Sequence, residues 1–278
     1  MNVRKRRLPV GWYPGTAKEC EQEITDFLRD FSPPKGNWVA GVAPHAGWGF
    51  SGRGAAKVVK TLSLRGVVDR VVIFGGHLPG SHEPIAYMEE SWETPLGSQF
   101  MDADFAYKLV NGGHATSAAA GFADNTIEVQ VPFVRYFFPD AKIIAVHSPS
   151  SEQALNLARA VKSFLDDDDL TAVFLGSADL THYGPNYGFT PKGTGAPSVK
   201  WVKEENDRVL IEKAVNMEAL QLVNEAPIRQ NTCSAGPIAS VIAIAGLYGV
   251  GRGTLLEYYT SYDVMPGSSF VGYASIVY

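Results

Sequence analysis

Four short, mainly apolar runs, at residues 38–43, 71–74, 142–146 (after its leading Lys142) and 172–175, recur along the chain with segments of helical periodicity between them. A strand that alternates apolar and polar residues has one wet face. A run without alternation suits a strand buried on both faces, as in a parallel sheet covered by helices. Helices are expected at 51–62, with Ser51 as N-cap, and at 104–110, 151–165 and 201–215. Residues 237–246 are small and apolar on every side, which predicts a buried helix. The strand, helix and strand between residues 38 and 74 form one crossover, expected to be right-handed. Residues 255–278 read as two strands around the turn Met265-Pro266-Gly267-Ser268.

Two loops stand out, at 75–83 and 183–197, and neither has the composition of an interdomain linker. The acidic run 166–169 reads as a solvated helix end. With 45% apolar and 19% charged residues, the chain has the composition of a globular protein with a sizeable core.

A net charge of −5 argues against nucleic acid or an anionic membrane surface as partner, since both require clustered Lys and Arg. The one basic cluster, Arg4-Lys5-Arg6-Arg7, is expected to be a solvated terminal run. The segment after it, Leu8-Pro9-Val10-Gly11-Trp12, is too short and broken for a signal peptide's apolar core. No stretch approaches the ~18 apolar residues of a membrane span. Two cysteines, Cys20 and Cys233, make no disulfide framework, so a cytoplasmic protein with reduced thiols is expected. Cys20, in a polar helical stretch, reads as incidental.

In open parallel sheets, ligands bind beyond the carboxyl ends of the strands. The first run leads into Pro44-His45-Ala46-Gly47, the second into Gly75-Gly76-His77, the third into His147 and the fourth into Ser177-Ala178-Asp179-Leu180-Thr181-His182. Four of the six histidines thus fall on one sheet edge, beside glycines that let the backbone turn tightly. Imidazole is a good ligand for Zn, Cu, Fe and Ni, so His45 and His77 are candidate metal ligands and His147 a weaker one. A third ligand stays open on local grounds. Asp179 or Glu128 would complete a two-histidine, one-carboxylate face of the kind that holds ferrous iron. Cys233 precedes a buried helix whose dipole would stabilise a thiolate, but a cysteine there can also simply fill a core gap.

Seven ordered segments carry a family resemblance. They are Pro9-Val10-Gly11-Trp12-Tyr13-Pro14-Gly15, Ala43-Pro44-His45-Ala46-Gly47-Trp48-Gly49-Phe50-Ser51-Gly52, Trp92-Glu93-Thr94-Pro95-Leu96-Gly97, Asn125-Thr126-Ile127-Glu128-Val129-Gln130-Val131-Pro132-Phe133, Ser177-Ala178-Asp179-Leu180-Thr181-His182-Tyr183-Gly184, Cys233 with Gly236-Pro237-Ile238-Ala239, and Val271-Gly272-Tyr273-Ala274. In this order they resemble the Memo family, also labelled AmmeMemoRadiSam system protein B, which is similar in fold to the LigB-like class III extradiol dioxygenases. The resemblance implies one doubly wound α/β domain over residues 1–278, with a mostly parallel central sheet flanked by helices. It also implies a metal site of His45, His77 and Cys233, with Asp179 and His182 beside it. Cys233 stands where the related dioxygenases place a Glu ligand. Two departures are visible: Asn125 replaces a histidine usual in the family, and Gly75-Gly76 precede His77 where the family more often has Gly-Pro-Asn or Gly-Pro-Ser.

The function this resemblance implies is that of an Fe(2+)- or Cu-dependent oxidoreductase of dioxygenase ancestry. His182 would act as acid or base, oriented by Asp179. Soft thiolate in place of carboxylate makes ring cleavage less expected and favours Cu(I) or Zn. Two rivals are a (phospho)peptide-binding module, with Arg53 and Lys192 as the only basic residues in the motif loops, and a zinc hydrolase with Glu128 as base. Trp12, Tyr13, Trp48 and Tyr183 would suit a planar, aromatic small molecule. The family label further suggests AMMECR1-type and radical-SAM proteins as partners.

Overall fold

A computed structural model describes residues 2–119, 122 and 124–278. The four apolar runs form four parallel strands: β1 (Ala40–Ala43), β2 (Arg70–Gly75), β3 (Lys142–His147) and β4 (Ala172–Ser177). Their order across the sheet is β1-β4-β2-β3, so the chain crosses back over β2 to insert β4 beside β1. Two longer antiparallel strands, β5 (Thr254–Thr260) and β6 (Phe270–Val277), extend the edge at β1. A short helix, Ser261–Val264, lies between them, ahead of the expected turn.

The pleat explains the apolar runs. Val71, Ile73, Ile143, Ala145, Val173 and Leu175 point to one face, on the side of α2 (Trp48–Ser63), with α1 (Ala17–Phe27) packed against α2. Val72, Phe74, Ile144, Val146, Ala172 and Phe174 point to the other, under α3 (Gln153–Asp167) and α4 (Ala235–Leu247). Both faces are therefore dry, as the sequence requires. Among the described residues no helix is long and apolar enough to cross a membrane.

Several expectations need correction. Ser51 does not cap α2: the helix starts three residues earlier, behind Gly47, and the Ser51 hydroxyl donates back to the Ala46 carbonyl (3.0 Å). Residues 201–215 are not one α-helix, because a π turn, Val202–Asn206, separates Ala196–Trp201 from Asp207–Val215. The basic run is not uniformly solvated. Arg4 is only 4% exposed, packed on the rings of Trp92 (4.4 Å) and Tyr87 (5.2 Å) and paired with Glu89. A parallel pairing of Val3–Arg4 with Ser91–Thr94 draws it in. Cys20 is a fully buried residue of α1.

Candidate metal centre

Because β4 lies between β1 and β2, three strand ends open side by side at the point where the strand order reverses. His45 follows β1 and His77 follows β2. Cys233 arrives from the opposite direction, two residues ahead of α4, and is tied to the loop after β4: its backbone N–H and the Thr232 hydroxyl both donate to the Asp179 carbonyl (3.3 and 2.6 Å). His45 Nε2 lies 3.3 Å from His77 Nε2 and 3.3 Å from Cys233 Sγ. The three donor atoms fall within 4.8 Å of one another.

These spacings suit an ion. With metal–nitrogen bonds near 2.0–2.1 Å and a metal–sulfur bond near 2.3 Å, tetrahedral donors stand roughly 3.3–3.6 Å apart. The tautomer of His45 fits as well. The Ser177 hydroxyl spends its proton on the Thr126 carbonyl and accepts from Gln130 Nε2, so the contact of His45 Nδ1 with Ser177 Oγ (3.3 Å) makes Nδ1 the donor. In the neutral ring that a metal requires, the Nε2 lone pair is then aimed at the cluster. Asp179 holds the His45 backbone N–H at 2.7 Å, Gln130 Nε2 donates to the Pro44 carbonyl (2.8 Å), and Asn125 Nδ2 donates to the His45 carbonyl (3.1 Å). Asn125, at the position of the missing family histidine, thus works as a backbone clamp.

The loop that presents His77 takes its shape from Gly76. Its φ of +90° disfavours any side chain, and a Cβ there would sit 2.5 Å from the His147 ring. Thr126 Oγ1 accepts the Gly76 N–H (2.7 Å), and Asp124 lies 3.7 Å from His77 Nδ1.

Electrostatics bind the cluster together. Burial alone would raise the Cys233 thiol, yet the charge of His45 and the nearby rings of His182 and His77 hold it well below its ordinary value. Burial works to lower His77 and His182, but Asp124 and Cys233 push the first, and Asp179 and Cys233 the second, up to about 10. Asp124 itself stays well below the usual carboxylate range: the facing rings of His147 and His77 outweigh its burial. A thiolate and two carboxylates thus face three imidazoles, and a metal cation would take the place of the protons those rings hold.

The remaining candidates divide clearly. His182 Nε2 lies 3.9 Å from Asp179 Oδ2, is buried, and has no hydrogen-bond partner among the described residues. His45, His77, Asp179 and His182 all line one cavity of about 410 Å³. His147 stays outside: its Nε2 meets Asp124 Oδ1 (3.3 Å) and the Tyr87 hydroxyl (3.1 Å), one layer behind His77. Glu128 is turned away from the cavity. Its Oε1 accepts from the backbone N–H groups of Arg7 and Leu8 and from the Tyr13 hydroxyl, at 2.8–3.0 Å, so it anchors the N-terminal segment rather than serving a bound water. Of the four singled-out aromatics, only Trp12 lines the cavity. Trp48 and Tyr183 are buried in the core, and Tyr13 packs on Trp48. Phe50, Tyr187 and Tyr273 are the cavity aromatics that sequence reasoning missed. Tyr273 sits in the Val-Gly-Tyr-Ala segment that carried the resemblance, the one signal that could have singled it out.

A doubly wound α/β protein with a two-histidine, one-cysteine cluster at its topological switch point is the class that fold and site define. A family model described as Memo-like protein matches residues 4–277. The chain belongs to the Memo family. It is 30% identical to a MEMO1 family protein of Thermococcus onnurineus, covering 99% of each chain. It is 31% identical to one of Pyrococcus abyssi, over 95% of this chain and 98% of that one. The fold is similar to the crystal structure of an uncharacterized protein from Escherichia coli K12, with a TM-score of 0.52, 16% identity, and coverage of 86% of this chain and 99% of the other.

Proposed function

We propose that this protein is a mononuclear metal oxidoreductase, with His45 Nε2, His77 Nε2 and Cys233 Sγ holding Fe(II) or Cu(I) at the floor of the cavity. The observation that supports this best is the set of 3.3 Å donor separations, together with the tautomer that Ser177 imposes on His45. The thiolate and two imidazoles suit a soft or borderline ion, and such an ion would supply open positions for electron transfer with a small molecule. His182 faces the same cavity with its ring nitrogen free. Asp179 orients it and stabilises its protonated form, so its role is to give or take a proton at the ligand. Trp12, Phe50, Tyr187 and Tyr273 offer flat apolar walls for a planar ligand.

The cavity counts against a phosphate-binding reading. Among the described residues its lining holds Asp179 and neither Arg nor Lys. Arg53 is paired with Glu257 and stacked on Tyr259, while Lys192 lies over Trp201. A zinc hydrolase lacks its base, because Glu128 is committed to the Arg7 and Leu8 amides and the Tyr13 hydroxyl. AMMECR1-type and radical-SAM partners remain part of the proposal through family membership alone.

Anaerobic loading with Fe(II), Cu(I) and Zn(II), followed by elemental analysis and X-ray absorption, tests the reading. One equivalent of iron or copper with one sulfur in its shell, lost in Cys233→Ala, is expected. Stoichiometric zinc with no uptake of iron or copper would refute it.

A further inference from the structure

One buried acid is left unused by the site, and it sits where the helix on that side breaks register. Asp207 is fully buried and follows directly on the π turn Val202–Asn206. Its carboxylate reaches through β6 at Gly272, where a Cβ would lie 2.0 Å from Oδ2, so only glycine lets it pass. Oδ1 accepts the backbone N–H of Thr181 (3.1 Å) and the Thr181 hydroxyl, and Oδ2 accepts the Tyr258 hydroxyl (2.8 Å). The neighbouring Asn206, 1% exposed, adds a second set of ties. Its Nδ2 donates to Thr181 Oγ1 (3.0 Å) and to the Arg229 carbonyl (3.3 Å), and its own carbonyl accepts from Asn231 Nδ2 (3.1 Å).

Two loops meet on this pair. Thr181 lies between Asp179 and His182, and Asn231 lies two residues ahead of Cys233. The loops are also paired directly through a bridge between Leu180 and Thr232. The π insertion sits immediately ahead of Asp207 in this helical segment, and such insertions recur at functional sites.

We propose that Asn206 and Asp207 are positioning residues for the centre. They hold the Thr181–His182 segment and the Asn231–Cys233 segment in one register, which fixes the sulfur relative to His45 and His182. The pair acts through Thr181 and Asn231 and touches neither the donors nor a ligand. This inference rests on the metal reading for its consequence, while the tie itself is a property of the protein alone.

The test has two arms. In the first, Co(II) binding and its thiolate-to-cobalt absorption are measured for wild type, Asn206→Ala, Asp207→Ala and Asp207→Asn. Both alanine variants should bind Co(II) about 10–100-fold more weakly, the range for lost outer partners of metal ligands, with weaker thiolate absorption. Asp207→Asn should recover both, because its amide oxygen still accepts from Thr181. In the second arm, the reaction rate of Cys233 with Ellman's reagent is followed in metal-free protein. It should rise severalfold in Asn206→Ala and in Asp207→Ala, and stay at the wild-type rate in Asp207→Asn. Should Asp207→Ala fail to fold, Asn206→Ala and Thr181→Val decide. Wild-type thiol reactivity in both of these would overturn the proposal. If wild type binds no cobalt, the Fe(II) form of the metal reading falls, whereas a changed thiol rate would still uphold the tie.

Discussion

Asp207→Asn isolates the energetic cost of burying a carboxylate without a cationic partner against it. Burial raises Asp207 from an ordinary 3.8 to about 6, against the lowering effect of the Thr181 and Tyr258 hydrogen bonds and the charge of His182. A carboxyl whose folded-state value lies above its unfolded value binds its proton more tightly when folded. Its contribution to stability is complete below the unfolded value and is lost as pH rises through about 6. At about 1.36 kcal/mol per unit, the full change is about 3 kcal/mol, of which about 1.4 kcal/mol falls between pH 5 and pH 7.5. Asparagine keeps an acceptor for Thr181 and does not titrate. Urea unfolding at pH 5 and pH 7.5 should therefore show the stability difference moving in favour of Asp207→Asn by about 1.4 kcal/mol at the higher pH. Other titrating groups are common to both proteins and cancel. If the two proteins lose or gain stability in parallel across that interval, Asp207 does not titrate there, and the argument from burial is wrong.

The geometry sets three further outcomes. Gly76→Ala should cost about 1–3 kcal/mol in thermal or urea unfolding, since φ +90° strains any side chain and the new methyl meets His147; metal uptake should fall with it as His77 is displaced. Arg4→Ala should cost about 3 kcal/mol, because it strips two aromatic faces and leaves Glu89 without its cation; a change within 0.5 kcal/mol, the usual range for surface sites, would restore the solvated-terminus reading. Metal affinity should be greater at pH 8 than at pH 6 in chelator competition, because His77, held up to about 10, must release a proton before its ring can ligate; a pH-independent affinity would contradict that protonation.

Much of this protein is determined locally and can be read along the chain. Runs such as Val71–Phe74 in β2 are apolar at every position because both sheet faces are covered, and that requirement is written residue by residue. The elbows after them bear His45 and His77 because a strand end is also where a loop must turn, so glycine and ligand occur together. Other features depend on what lies across the fold. That β4 inserts between β1 and β2, and so gathers three loops, is a matter of crossover path and leaves no local mark. Glu128 and Arg4 are charged residues whose partners, the Arg7 and Leu8 amides and the Trp92 ring, lie 121, 120 and 88 positions away in sequence. The third member of the cluster belongs in part to the same class. Local sequence leaves it open, the family resemblance favours Cys233, and the return of the chain to the Asp179 loop sets the sulfur 3.3 Å from His45. Periodicity and turn chemistry arise between neighbouring residues, so sequence determines them. Convergence depends on chain path and on burial without alternative partners, so only the tertiary structure could decide which strand-end residues share a site.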